Sequence, residues 1–303
     1  MFATISTAAD NRFARLAGIG LMLAGICMFS CGDAIGKFLV GTYSVGQLML
    51  LRACAALVLL APSIWRHRGE FLRLERPGMQ VIRVVLSTLE VAAFFWAAAY
   101  LPLADVITYY LACPIFVTAG SAIFLREPVG WRRWSAVLVG FCGVLIALQP
   151  SAQSITWPAL IALCGSASFA ALMLITRSLR GAPDVVLATT QFLGTLTFGA
   201  VAASFSWLTP SLPDLALFFL AGVVSVLALL CVNRSLKLAP ASVVVPYQYS
   251  MIIWAVMFGY LVFGELPSLA TLLGATIIVA AGLYIFLREQ QLGKIEAEVG
   301  AAA

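Results

Sequence analysis

Four ionisable side chains of the long apolar stretches are candidates for charges at membrane depth: Asp33, Lys37, Arg52 and Glu90. A charged group at membrane depth is costly, so it usually faces a cavity or a partner of opposite charge. Either basic group could bind a carboxylate, Arg52 through its two-pronged guanidinium. Either acidic group could accept an ammonium group, so the set suits a zwitterionic ligand. The alternative is that the four groups form internal ion pairs that hold the first three helices together.

Aromatic and polar side chains in two later stretches are further candidates for the same site. They are Tyr109, Tyr110 and Pro114 in the fourth stretch and Tyr247, Gln248 and Tyr249 in the ninth. Tyrosine rings and hydroxyls suit an amphiphilic ligand, and a proline inside a helix allows a kink. Trp96, Asn233 and Trp254 complete the set of candidate binding residues. The alternative for the aromatic residues is packing, or a belt at the membrane interface.

The elements that must position these groups are ten apolar stretches that fill the chain almost from end to end. Hydrophobic residues make up 62% of the sequence and charged residues 10%, which is typical of a protein with most of its mass in lipid. A span needs about 20 predominantly apolar residues, and backbone groups in lipid must be satisfied within a helix. We therefore predict an all-α polytopic membrane protein with ten transmembrane helices. The predicted spans are 16–39, 45–64, 79–100, 103–125, 134–148 (with a possible extension toward Arg132), 157–176, 185–205, 213–231, 241–263 and 269–287.

The basic residues lie in alternate loops. Of the 18 Lys and Arg residues, all but Lys37 and Arg52 fall at one set of span ends, and the opposite loops are nearly free of them. Positive charge concentrates on the cytoplasmic side of membrane proteins. The pattern predicts cytoplasmic termini and an even number of crossings.

The two halves of the chain resemble each other. Leu101-Pro-Leu-Ala-Asp-Val in the first half matches Leu238-Ala-Pro-Ala-Ser-Val in the second, and Glu127 matches Glu265. The matching positions are about 139 residues apart, which also sets Arg52 opposite Gln191. We predict two five-helix repeats, 1–150 and 151–303. Because five is odd, the second repeat must enter the membrane from the other side, an inverted arrangement common in secondary transporters.

Several of these segments also resemble a known family. They are Ser30-Cys-Gly-Asp-Ala-Ile-Gly-Lys37, Leu51-Arg52-Ala, Tyr100-Leu-Pro-Leu-Ala, Pro114, and the turns at Glu127 and Glu265. Their order in two tandem units resembles the drug/metabolite transporter superfamily, specifically its EamA-type members with ten spans, over nearly the whole chain. Within the superfamily the chain is most similar overall to the bacterial exporters of aromatic amino acids called YddG. The resemblance implies a carrier in the bacterial inner membrane that moves small metabolites outward, and it matches Lys37 and Arg52 to commonly basic positions.

The sequence lacks the motifs of several other function classes. It contains no Walker motif, no HExxH and no GxSxG, and its loops are too short for a soluble domain or a nucleic-acid module. The seven cysteines all lie within spans and suit helix packing better than disulfides or metal ligands. We therefore expect no enzyme activity, cofactor, metal, nucleic acid or obligate protein partner, only the bilayer and a small-molecule substrate. We predict export of amino acids, both aromatic and other uncharged ones, by alternating access. The alternative is another small metabolite or drug, such as a nucleoside, a nucleotide sugar or a cationic drug.

Overall fold

The computed structural model describes residues 2–72, 76–113, 131–148, 156–179, 182–238 and 245–281, together with residues 116, 120, 283, 284 and 287. This part of the chain forms ten α-helices and two short 3-10 helices. The α-helices are α1 (Phe2–Val40), α2 (Val45–Arg66), α3 (Pro77–Ala98), α4 (Leu103–Tyr110), α5 (Trp131–Leu148), α6 (Trp157–Ser178), α7 (Asp184–Ala203), α8 (Leu212–Leu238), α9 (Met251–Phe263) and α10 (Leu269–Ala281). The 3-10 helices are Glu70–Leu72, before α3, and Val245–Ser250, which leads into α9.

Each helix overlaps one of the ten predicted spans, so the all-α polytopic fold is confirmed. Within the described residues, six helices are long and apolar enough to cross a membrane, namely α1 from Leu16, α2, α3, α6, α7 and α8 up to Val232. Helix α5 begins at Trp131, as the expected extension toward Arg132 required. Most of the fourth predicted span beyond α4, including Pro114, lies outside the described residues.

Local sequence features set the helix ends. The Ser44 side chain accepts a hydrogen bond from the backbone N–H of Gln47, which satisfies a free donor in the first turn of α2. Proline at the first or second position starts α3 and α6, where its missing N–H costs nothing. Helix α9 ends at Gly264, whose φ of 67° suits glycine better than any L-residue.

The packing order of the helices follows the inverted repeat. Helix α1 packs on α8, α3 packs on α6, and α2 packs on α7. Since helix n of the first repeat corresponds to helix n+5 of the second, a two-fold axis exchanges the first two pairs and maps the third onto itself. The chain is therefore built from two five-helix repeats of opposite orientation.

The α2–α7 pair meets at its backbone. A Cβ atom added at Gly199 would lie 2.5 Å from the backbone nitrogen of Leu50 and 2.9 Å from the carbonyl oxygen of Gly46. Small residues at such a crossing let membrane helices approach closely. The two repeats are thus joined near their common axis by close backbone contact between α2 and α7.

Candidate functional site

The Arg52 guanidinium of α2 lies at the centre of a group of charged side chains inside the helix bundle. Asp33 of α1 and Glu90 of α3 are both close enough to interact with it electrostatically, and they also interact with each other. Among the residues that the structure describes, neither carboxylate forms a direct ion pair with Arg52. The three groups therefore interact electrostatically without direct contact.

One face of the guanidinium is covered by an aromatic ring. Arg52 Cζ lies 5.1 Å from the centroid of Phe95, within the range of a cation–π interaction. Arg52 Nε is buried and has no hydrogen-bond partner among the described residues. Buried polar atoms are nearly always hydrogen-bonded in proteins, so an unpaired Nε at this depth is unusual. All three charged side chains remain partly accessible although they lie deep in the protein.

A row of aromatic rings forms one wall beside these charges. The ring of Phe94 meets those of Phe95 and Tyr110 edge to face, with both centroid distances at 5.2 Å. The Tyr110 hydroxyl donates a hydrogen bond of 3.0 Å to the backbone carbonyl of Glu90. A Cβ atom at Gly36 would collide with the Phe95 ring, so α1 admits the ring only because it has glycine there.

Two aromatic residues of the second repeat supply further unpaired donors. The Tyr249 hydroxyl and the Trp254 indole nitrogen are buried without a hydrogen-bond partner in the described part of the chain. Tyr249 lies near Cys113 of the first repeat, and Trp254 packs beside Met22 and Ile26 of α1. Both predicted residues therefore pack against the first repeat, and each has one hydrogen-bond donor without a described partner.

Lys37 has a different environment from Arg52. Its Nζ atom lies 2.7 Å from both carboxylate oxygens of Glu265, and it donates a hydrogen bond of 2.8 Å to the Leu101 carbonyl oxygen. Glu265 also accepts a hydrogen bond of 3.1 Å from the first backbone N–H of α4, at Leu103. The predicted alternative of internal ion pairs is thus seen at Lys37, but its partner is in the second repeat and not in spans one to three.

Further contacts between the repeats lie at the same end of the bundle, formed by residues 41–44, 99–102, 204–211 and 264–268, which we call the Lys37 end. The Tyr43 hydroxyl donates to Asp214 at 2.7 Å, and this hydrogen bond raises the pKa of Tyr43. The Gln47 side chain donates to the Leu208 carbonyl at 2.6 Å and accepts from the Leu208 N–H at 3.2 Å. These contacts tie the two repeats together and close the Lys37 end.

The other predicted site residues have varied positions. The Trp96 side chain is 54% exposed between buried neighbours, so its indole faces the outer surface of the bundle and we do not carry it into the proposed site. Tyr109 is buried, Gln248 is half-buried and Tyr247 is 37% exposed. Pro114 and the side chain of Asn233 lie outside the described residues.

Three residues have environments that the sequence alone did not indicate: Phe95, Glu265 and Arg83. Phe95 resembles any core phenylalanine of an apolar helix, although its position five residues after Glu90 could have drawn attention to it. The sequence places Glu265 in a turn, and in the structure its carboxylate both caps α4 and pairs with Lys37. The alternation of basic residues groups Arg83 with the cations at the cytoplasmic span ends, but it lies inside α3 and is buried.

The comparison with protein families decides the class. Residues 16–149 and 156–287 each match the model of the EamA-like transporter family. The chain belongs to this family. It is accordingly a multi-pass membrane protein of the drug/metabolite transporter superfamily, whose substrate is a small metabolite.

Curated relatives transport several kinds of metabolite. The chain is 26% identical to an S-adenosylmethionine uptake transporter of Rickettsia bellii over 90% of this chain and 94% of the relative. It is 33% identical to a riboflavin transporter of Rhizobium johnstonii, over 73% and 74% of the two chains. It is 27% identical to a pseudopaline exporter of Pseudomonas aeruginosa, over 87% and 94%. These relatives support a small-metabolite carrier, the alternative prediction, better than amino-acid export specifically.

A solved crystal structure has the same fold. It aligns with a TM-score of 0.66 over 91% of this chain and 98% of the other, at 15% identity. At this identity the likeness concerns the fold alone.

Proposed function

We propose that this EamA-like transporter carries, by alternating access, a small metabolite with an amino-acid head group and a flat ring. The observation that carries the proposal is the Arg52 guanidinium, which interacts electrostatically with Asp33 and Glu90 without a direct ion pair to either. Charged groups inside a membrane protein commonly line a substrate or ion pathway. A carboxylate binds Arg52, and an ammonium group binds between the two acids.

The two acidic side chains favour a substrate with more than one positively charged or donor group. Asp33 and Glu90 both interact with the single guanidinium of Arg52, so the site offers two carboxyl groups to the cationic part of a substrate. S-adenosylmethionine, named for several relatives, has a carboxylate, an ammonium, a sulfonium and an adenine ring. It therefore has a partner for each of the charged groups and for the aromatic row, whereas threonine has no ring. Amino acids remain the simplest members of the proposed class, as the sequence suggested.

The aromatic row provides a place for the flat ring. Phe95, Phe94 and Tyr110 pack edge to face beside the charged groups, and a ring of the substrate would join this row when the site opens. Tyr249 and Trp254 add a hydroxyl and an indole N–H that have no partner in the described part. An adenine or phenyl ring can stack there and an adenine can also accept hydrogen bonds, which suits a ligand that is charged at one end and flat at the other.

Riboflavin is the second candidate, because the relative that shares 33% identity is a riboflavin transporter. A flavin could stack on the same rings, but it would leave the charges of Asp33 and Glu90 without an ammonium partner. The two candidates therefore differ in their dependence on these carboxylates.

Counterflow in proteoliposomes tests the proposal. Vesicles that contain the purified protein are preloaded with an unlabelled solute. They are then offered the same solute in labelled form outside: S-adenosylmethionine, phenylalanine, threonine or riboflavin. We expect flux of at least one solute with an amino-acid head group. Arg52→Gln should raise the KM for that solute by about tenfold or more, since a charge-assisted hydrogen bond contributes about 1.5–3 kcal/mol. Glu90→Gln should raise the KM as well.

Trp96→Phe is the matched control, because the indole faces the outer surface of the bundle. It should leave KM within about twofold. Flux of riboflavin alone, insensitive to Glu90→Gln, would replace the proposal with the flavin alternative. If the folded Arg52→Gln variant carries an amino-acid solute with an unchanged KM, Arg52 does not bind the substrate.

A further inference from the structure

Arg83 of α3 is a buried cation whose described partners are all neutral. Its side chain is 5% exposed. Nε donates to Thr176 Oγ1 of α6 at 3.0 Å, one terminal nitrogen donates to the Leu187 carbonyl of α7 at 3.0 Å, and the other donates to Gln191 Oε1 at 3.3 Å. Among the described residues, no carboxylate pairs with it.

Neutral acceptors satisfy the donors of a buried cation but do not cancel its charge. Burying a charge is strongly unfavourable unless it is paired. A guanidinium has five N–H donors, and the three contacts of Arg83 occupy three of them. Arg83 therefore has both an uncompensated charge and two remaining donors, which is what a carboxylate requires.

Arg83 also lies on the helix face that leads to the central site. It precedes Glu90 by seven residues, or about two helical turns, so the two side chains leave α3 on nearly the same face about 10 Å apart along its axis. Thr176 lies in the last turn of α6 and Leu187 in the first turn of α7, which places Arg83 between the central charges and the end opposite Lys37.

We propose that Arg83 is a second carboxylate-binding position, which receives the substrate's carboxylate on its way between that end of the bundle and Arg52. This proposal rests on the proposed function, because it requires a substrate that has a carboxylate. All three acceptors of Arg83 belong to the second repeat, so opening of this end separates them from α3. The carboxylate then replaces them, and it cancels the charge that they leave uncompensated.

The test uses S-adenosylmethionine and decarboxylated S-adenosylmethionine, which differ by the carboxylate alone. Each compound is added as an inhibitor of counterflow of the labelled solute that wild type carries. The measured quantity is the ratio of the two half-inhibitory concentrations. Wild type should favour the carboxylated compound. Arg83→Gln should reduce that preference by about tenfold, which corresponds to the loss of a charge-assisted hydrogen bond. Arg83→Lys, which keeps the charge, should restore part of it.

Thr176→Val is the matched control, because it removes one neutral acceptor and leaves the cation in place. It should lower thermal stability without changing the preference. If Arg83→Gln and Thr176→Val both lower stability and both keep the wild-type preference, Arg83 is only a structural tie between the repeats. If wild type itself shows no preference for the carboxylated compound, the proposed function fails, and the role of Arg83 fails with it. A variant that does not fold is identified by size-exclusion chromatography, and Arg83→Lys then decides the outcome.

Discussion

Lys37 and Glu265, 228 residues apart in the chain, form an ion pair that joins the two repeats. The ammonium lies 2.7 Å from both carboxylate oxygens, and the two side chains are only 9% and 30% exposed. The same carboxylate caps α4 through the Leu103 N–H. In a carrier built from two repeats, contacts of this kind at one end must break when that end opens. The pair therefore affects both stability and the population of the state in which the Lys37 end is closed.

Removing one member of this pair should destabilise the protein. Lys37→Met leaves the Glu265 carboxylate without its cation, and Glu265→Gln leaves the Lys37 ammonium without its anion. Because Glu265 is partly exposed, we expect each variant to lose about 1–3 kcal/mol, less than for a fully buried pair. Reversible unfolding in mixed micelles measures the free energy of unfolding.

The exchanged pair Lys37→Glu with Glu265→Lys separates the ion pair from side-chain identity. It should recover part of the stability that each single charge reversal loses. The double-mutant cycle should therefore give a coupling energy clearly different from zero. Additive single effects would show that the two side chains act independently despite their contact.

Gly36→Ala should weaken substrate binding through Phe95. The added methyl group collides with the Phe95 ring and moves it from the face of Arg52. Loss of a cation–π contact of about 0.5–2 kcal/mol corresponds to a KM increase of about twofold to thirtyfold. The measurement is the KM for counterflow of the solute that wild type carries.

Two further variants distinguish this effect from general destabilisation. Gly20→Ala is in the same helix with nothing within 4 Å of the new methyl group, so it should leave KM unchanged. Gly36→Ala with Phe95→Leu relieves the collision and should recover stability, but it should not recover KM because the ring is absent. Recovery of KM in the double variant would contradict a direct role for the Phe95 ring.

The sequence was sufficient for the helices and for the depth of the charged groups, because both depend on local composition. Arg52, Asp33 and Glu90 stand out since charges are rare in lipid-spanning segments. Their mutual arrangement was only partly predictable. The partner of Lys37 is in a turn of the second repeat, and no local pattern connects Glu265 to Lys37.

The direction of the aromatic side chains could not be predicted either. Phe95 and Trp96 are adjacent, yet Phe95 is 1% exposed and Trp96 is 54% exposed. In a soluble helix, apolar periodicity would distinguish the buried face from the exposed one. Here lipid and protein interior are both apolar, so an apolar helix gives no such signal. Only the packing of α3 against α1 and α6 decides which ring faces the charges.

Gln47→Leu should destabilise the Lys37 end. Gln47 is fully buried, and its amide group satisfies both the N–H and the carbonyl of Leu208. Leucine leaves these two backbone groups unpaired, which costs about 2–4 kcal/mol in free energy of unfolding. Thr197→Val is the control, since its hydroxyl bonds to its own helix at an exposed position and its loss should change stability by less than about 0.5 kcal/mol. Equal effects of the two substitutions would show that the Leu208 contact contributes nothing specific.

The predicted orientation places the Lys37 end on the outer side of the membrane. We expect single cysteines introduced at Gly69 and at Ser206, both exposed, to report opposite sides in a background without the seven native thiols. A membrane-impermeant maleimide should label Ser206→Cys in intact spheroplasts and Gly69→Cys only after permeabilisation. The physical reason is the excess of Arg near Gly69, which holds that loop in the cytoplasm, whereas the loop at Ser206 has no basic residue. The reverse labelling pattern would invert the orientation, and Arg83 would then meet the substrate from outside.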